Sequence, residues 1–190
     1  TVGAQRERVE RGERPDVVIL SQAAIAQLAK LDLIDRDSIR DIGDVQVGLA
    51  VSARQDGLIS QATFDNTTIT PAPPGGIAFS RRTVGFVNEV GSYSEAGGVH
   101  TLSGSGNGFG TSTVDEGEFA MMTLTGDFIL TTRVTSQSSG ANAAQAGLMI
   151  RENGDKDSRM IYFGLTTNFG MESLFRNRTL AVERQIAQLW

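Results

Sequence analysis

The chain has 190 residues, 39% of them hydrophobic and 21% charged, which is enough for one ordinary domain or two small ones and is the balance of a globular protein. Its 22 acidic against 17 basic residues leave a net charge of -5, which argues against nucleic-acid binding by phosphate neutralisation and against a polybasic membrane patch. With no cysteine there are no disulfides, thiolate catalysis or cysteine metal sites, and no window approaches the roughly 18 apolar residues of a membrane span.

Taken in chain order, residues 1–45 read as an α/β segment. Arg6 with Glu10 and Glu7 with Arg11 have the i,i+4 spacing of a charge-laced helix over residues 2–11, which Gly12 weakens. The chain opens at Thr1 with no basic-then-apolar signal segment, so the expectation is an intracellular protein or one from which a leader has been removed. Residues 17–20 (VVIL) follow Pro15-Asp16 as a short buried strand would. Ser21 is placed as the N-cap of a helix whose apolar stripe is Ala24, Ile25, Leu28 and Leu31. Residues 35–44 are polar and turn-like.

From residue 46 the periodicity changes to two and glycines multiply. Residues 45–51 and 58–70 are strand candidates, and residues 71–78, which open with Pro-Ala-Pro-Pro-Gly-Gly, are a linker or sharp loop. Residues 79–178 carry further strand candidates at 84–90, 98–103, 119–124, 127–136, 146–151 and 159–166. Short strands at this spacing predict a mainly β chain, an antiparallel jelly-roll-like β-sandwich. Alternation assigns faces: Phe128, Leu130, Thr132 and Val134 point in, with Ile129, Thr131 and Arg133 out. Ala146, Leu148 and Ile150 point in, opposite Met149 and Arg151; Ile161, Phe163 and Leu165 point in, leaving Met160 and Tyr162 outside. Residues 179–190, amphipathic and free of Gly and Pro, predict a terminal helix whose apolar face needs a partner.

Residues 1–51 (TVGAQRERVERGERPDVVILSQAAIAQLAKLDLID, then VQVGLAV) resemble an internal fragment of the molybdate-type periplasmic solute-binding proteins of ABC transporters. That resemblance implies oxyanion recognition by hydroxyls and helix N-termini, for which Ser21 is the one position to propose. The serine-rich first loop and the second lobe of that family have no counterpart here. Residues 46–178 resemble concanavalin-like β-sandwich modules of the DUF1349 type, found in secreted, multidomain proteins. GVHTLSGSGNGFGTSTVDEGEFAMMTLTGDFILTTRVTSQ and AAQAGLMIRENGDKDSRMIYFGLT are similar to the opening half of that module, and VGLAVSARQDGLISQATFDNTTITP to its closing strands. Closing strands before opening ones imply a window on two tandem repeats, a permuted sandwich, or a natural or engineered chimera.

The functional expectation is a non-catalytic extracellular or periplasmic module with a binding or structural role, carbohydrate being the ligand class the resemblance implies. The alternatives are an incomplete oxyanion-binding fragment, a glycan-active enzyme, and a chimera with no native ligand. Sugar platforms expose amphipathic rings, which makes Tyr162, Tyr93 and Trp190 the candidates. Asn153, Asp155 and Asp157 alternate like the start of a calcium loop, without its later glycine and glutamate, and a polar hairpin turn is the plainer reading. Asp115, Glu116 and Glu118 are the acids a glycosidase reading would need, although clustered acids are ordinarily solvated. Gly104, Gly106, Gly108 and Gly110 lack the spacing of a phosphate loop, and His100 is the only histidine, so no catalytic residue is assigned. Unpaired strand edges or the terminal helix give a route to a homo-oligomer.

Overall fold

The computed structural model describes residues 11, 27–31, 33, 43–110, 113–138, 141–178 and 181–186. Residues 1–43 and 44–190 form separate compact units. In the first, residues 27–30 are helical; Leu28 is buried, whereas Leu31, placed on the same stripe by its spacing, is exposed in the closing turn, where the Leu33 amide donates to the Leu28 carbonyl. The strand expected at 17–20, most of the helix at 2–11 and Ser21 lie outside the described residues. No helix among the described residues is long and apolar enough to cross a membrane.

The second unit is a sandwich of two antiparallel sheets. Its strands are β1 (Val45–Ser52), β2 (Ser60–Thr70), β3 (Ser80–Val84), β4 (Tyr93–Ala96), β5 (Val99–Gly104), β6 (Gly117–Leu124), β7 (Ile129–Gln137), β8 (Gln145–Arg151), β9 (Met160–Thr166), β10 (Gly170–Arg178) and β11 (Ala181–Ile186). The large sheet runs β11-β10-β9-β8-β1-β6-β3 and the small one β4-β5-β2-β7. β1, apolar throughout, lies between β6 and β8, and β2 lies between β5 and β7. The early strands therefore complete sheets made mostly of later ones. The Pro/Gly run after β2 carries the chain from the small sheet to β3 at the edge of the large one, beginning with a cis Thr70–Pro71 peptide.

Between the sheets lie Val45, Val47, Leu49 and Val51 of β1, facing Ala62, Phe64 and Ile69 of β2 and Leu102 of β5. Burial of side chains of this kind contributes roughly 1.5–3 kcal/mol each. The inward set of β7 is as the alternation predicts, with Leu130, Thr132 and Val134 half-buried between exposed neighbours. A second apolar cluster sits on the opposite, outer face of the large sheet: Ala50, Phe109, Phe119, Met149, Tyr162 and Leu174 are among its members. The large sheet thus has a core on both faces.

Three expectations are corrected. The strand expected at 84–90 stops at Val84, because Gly85 takes a φ of 72° and turns the chain away, leaving Phe86 and Val90 exposed. The terminal helix is replaced over residues 181–186 by strand β11, which pairs with β10; an open edge of backbone donors and acceptors outweighs local helical preference. On β9, Met160 and Tyr162 are buried while Phe163 and Leu165 are 48% and 37% exposed, the reverse of the expected exposure. The side chains do point to the predicted sides, but it is the outer side that is covered there.

His100 on β5 is buried between Phe79, at 5.5 Å between ring centroids, and Tyr93, stacked at 6.1 Å. Its Nδ1 shares a 2.9 Å hydrogen bond with the Tyr93 hydroxyl. Burial holds the imidazole below its ordinary pKa of 6.5, against a smaller opposing pull from Glu95. The unfolded chain then takes up the proton first, so stability is whole above pH 6.5 and falls as pH drops from there through the folded value. Urea unfolding of the wild type at steps of pH from neutrality downward is expected to show this decline, and a His100→Gln variant to lack it. The depressed carboxyls Asp56 and Asp65 act only at lower pH, near and below 3.8.

Candidate functional site

The outer face of the large sheet is where the sequence candidates meet. The glycine-rich segment after β5 does not project into solvent as a ligand loop; it folds back across this face. Gly108 and Glu116 form a β-bridge, the Ser52 hydroxyl donates to the Gly106 carbonyl at 3.0 Å, and the Phe109 amide donates to Gln145 Oε1 at 2.7 Å. Gln145 Nε2 donates in return to the Phe109 carbonyl and to Glu172 Oε2. Phe109 is thereby seated against Tyr162 with ring centroids 5.7 Å apart. Gly110, at φ 65°, passes so close to Leu174 that a Cβ there would lie 2.9 Å from its Cδ1. The glycines serve this close approach, and no nest of free amides is left for a phosphate.

The same segment delivers Asp115 into a charge cluster. Asp115 is fully buried and receives Arg151 Nη1 at 2.6 Å and a bidentate grip from Arg176, both contacts at 2.7 Å. Two buried guanidiniums against one carboxylate leave an excess positive charge. Backbone carbonyls of the β8–β9 turn meet it: Arg151 donates to the carbonyls of Asn153 and Asp155, and Arg176 to those of Lys156 and Ser158. Burial pushes the Arg151 pKa down, and Asp115 opposes that shift.

This geometry places each candidate. Asn153, Asp155 and Asp157 lie in the turn that cradles the arginines; the Asn153 carboxamide oxygen accepts from the Asp155 amide at 2.8 Å, and the carbonyls a calcium ion would draw on are turned toward guanidiniums. Among the described residues no three His, Cys, Asp or Glu side chains converge as a metal site. Glu118 is also fully buried, not solvated; Arg81 at 2.8 Å, the Thr83 hydroxyl at 2.8 Å and the Gly91 amide at 3.0 Å take up its oxygens. Glu116 accepts from the backbone and side chain of Asn107. The three acids are therefore spread over separate internal networks and do not face one another across a cleft.

Tyr162, expected as an outward ring for a sugar, is wholly buried, and burial raises its phenol well above the ordinary value of 10.0. Tyr93 is half-buried with its hydroxyl committed to His100. Trp190 and Ser21 lie outside the described residues. Arg151, Arg176, Gln145 and Glu172, the polar side chains that organise this face, were not singled out from the sequence; the available signal was Arg151 alternating with Met149 on a strand whose other face is apolar.

Two surfaces remain accessible. The outer face of the small sheet carries a polar ladder in which Thr63 bonds to Thr135 and Ser136, Thr68 bonds to Thr131, and Asp65 pairs with Arg133. Between β7 and the strands beyond β8 lies an open groove of about 220 Å³ with an apolar lining that includes Val134, Leu148, Phe163, Leu165 and Met171. No family model, curated protein or solved structure matches this chain.

Proposed function

We propose that the chain is a non-catalytic module that acts through its surfaces, with a binding or structural role of the secreted, concanavalin-like kind that residues 46–178 resemble. The observation that carries this reading is the closed outer face of the large sheet, where Phe109 and the Asp115 charge cluster fill the space a substrate cleft would need. Hydrolysis of a glycoside requires two carboxyl groups about 5 to 10 Å apart across an accessible bond. Asp115 and Glu118 are both wholly buried in ion pairs.

Carbohydrate is the ligand class implied by the resemblance, and the burial of Tyr162 moves the binding surface. The polar ladder of β2 and β7 offers hydroxyls in rows, with Asp65 and Arg133 between them, to the hydroxyls of an extended polysaccharide. A glycan array is expected to show retention of polysaccharide without release of reducing sugar. Arg133→Ala with Thr131→Val is expected to weaken retention about tenfold, equivalent to about 1.4 kcal/mol. Reducing-sugar release would end the non-catalytic reading, and a blank array would end the carbohydrate one. The oxyanion alternative depends on Ser21 and the first 51 residues, and no observation of the described residues favours it.

A further inference from the structure

We infer that two copies of this chain pair through the uncovered inner face of β9 and β10, each supplying the layer the other lacks. The large sheet has seven strands and the small one four. β7, the last strand of the small sheet, packs over β8, so β9, β10 and β11 continue beyond it with no second layer among the described residues. On this overhang the register sets Ile161 beside Phe175, Phe163 beside Ser173 and Leu165 beside Met171. Phe163 and Leu165 are large exposed hydrophobics, and none of these six side chains is charged. Natural sheets ordinarily guard such a face with charge, proline or a cover.

The occupant follows from fit. The missing layer is three strands wide, and the overhang that would fill it is three strands wide. Laid face to face about a two-fold axis between the layers, the overhang of one copy continues the small sheet of the other, and the interface is isologous and closed. A chain of net charge -5 meets its copy here through a patch without charge, so no like-charge contact opposes the pairing at its centre. Joining the small sheets edge to edge through β7 is excluded by the same overhang, because the β8 of the second copy would enter the space held by β9 of the first.

At strand spacings of about 4.8 Å and rises of about 3.3 Å the overhang projects to roughly 300–350 Å². Reciprocal burial then removes on the order of 700–1,000 Å², below the roughly 1,200–2,000 Å² of tight complexes, which sets a micromolar rather than nanomolar dimer.

Sedimentation equilibrium of the full chain from about 1 to about 200 µM tests this range of affinity. The wild type is expected to pass from the monomer mass to twice that mass, whereas Phe163→Glu and Leu165→Glu are expected to stay monomeric throughout. Phe86→Glu, a change at an exposed ring in the turn after β3, is expected to dimerise as the wild type does. If a glutamate variant fails to fold, as judged by urea unfolding at the lowest concentration, Phe163→Ser and Leu165→Ser take its place and are expected to raise the dissociation constant at least tenfold. A wild type that remains monomeric overturns the inference, including one whose face takes up an extended apolar peptide instead. So does a dimer that survives substitution of both Phe163 and Leu165, or one lost equally with Phe86→Glu.

Discussion

Replacing Asp115 by asparagine is expected to cost about 3–5 kcal/mol, the loss seen when one partner is removed from a buried ion pair and the other is left without a counter-charge. The side chain keeps its shape, so the effect isolates charge. Arg151 and Arg176 are both wholly buried, and with the carboxylate gone two cations face each other with only carbonyl dipoles to offset them. Removing one arginine instead leaves a neutral pair, so Arg176→Met or Arg151→Met is expected to cost less, about 1–3 kcal/mol, mostly from hydrogen bonds lost on the turn carbonyls. Urea midpoints measured on the three variants check the order. Against a typical total of about 5–15 kcal/mol, the asparagine variant would retain little stability at 37 °C. An asparagine variant no worse than either methionine variant would show that the carbonyls, and not Asp115, carry the counter-charge.

Strand content and strand phase were legible in the sequence; coverage was not. Alternation along β7 separated Leu130, Thr132 and Val134 from Ile129, Thr131 and Arg133 because one side of that strand meets water. On β9 the same reading assigned Phe163 and Leu165 to one side and Tyr162 to the other, which is how they point. Period two says nothing about which side another layer will cover. A loop 50 residues away in sequence seals Tyr162, and the short small sheet leaves Phe163 open. The terminal helix failed for a related reason, since a local pattern in residues 181–186 yields to the unpaired edge of β10. Asp115, Arg151 and Arg176 are distant in sequence, so nothing local marks them as partners, and acids beside an apolar strand look solvated until the fold buries them.

Phe109→Ala is expected to cost about 3–5 kcal/mol, the usual loss for emptying a buried aromatic site, but not uniformly across the fold. Phe109 is the one large apolar side chain that the segment between β5 and β6 contributes to the outer-face cluster, and Tyr162, Leu174 and Phe119 lie in that cluster beneath it. The fit is close enough that a Cβ on Gly117 would come within 2.4 Å of the Phe109 ring. The inter-sheet core of β1, β2 and β5 shares no member with that cluster. Loss of the ring therefore falls first on the segment it anchors, which opens as a unit below the global transition. Hydrogen exchange is expected to quicken at residues 105–110 and 113–116 while amides of β1 and β2 keep most of their protection. Asp115 travels with that segment, so opening also strips Arg151 and Arg176 of their carboxylate, and the loss at Phe109 and the loss at Asp115 should combine to less than their sum. Equal acceleration in every strand would mean that the segment is an inseparable part of one core, and the outer face would then have no closed state distinct from folding itself.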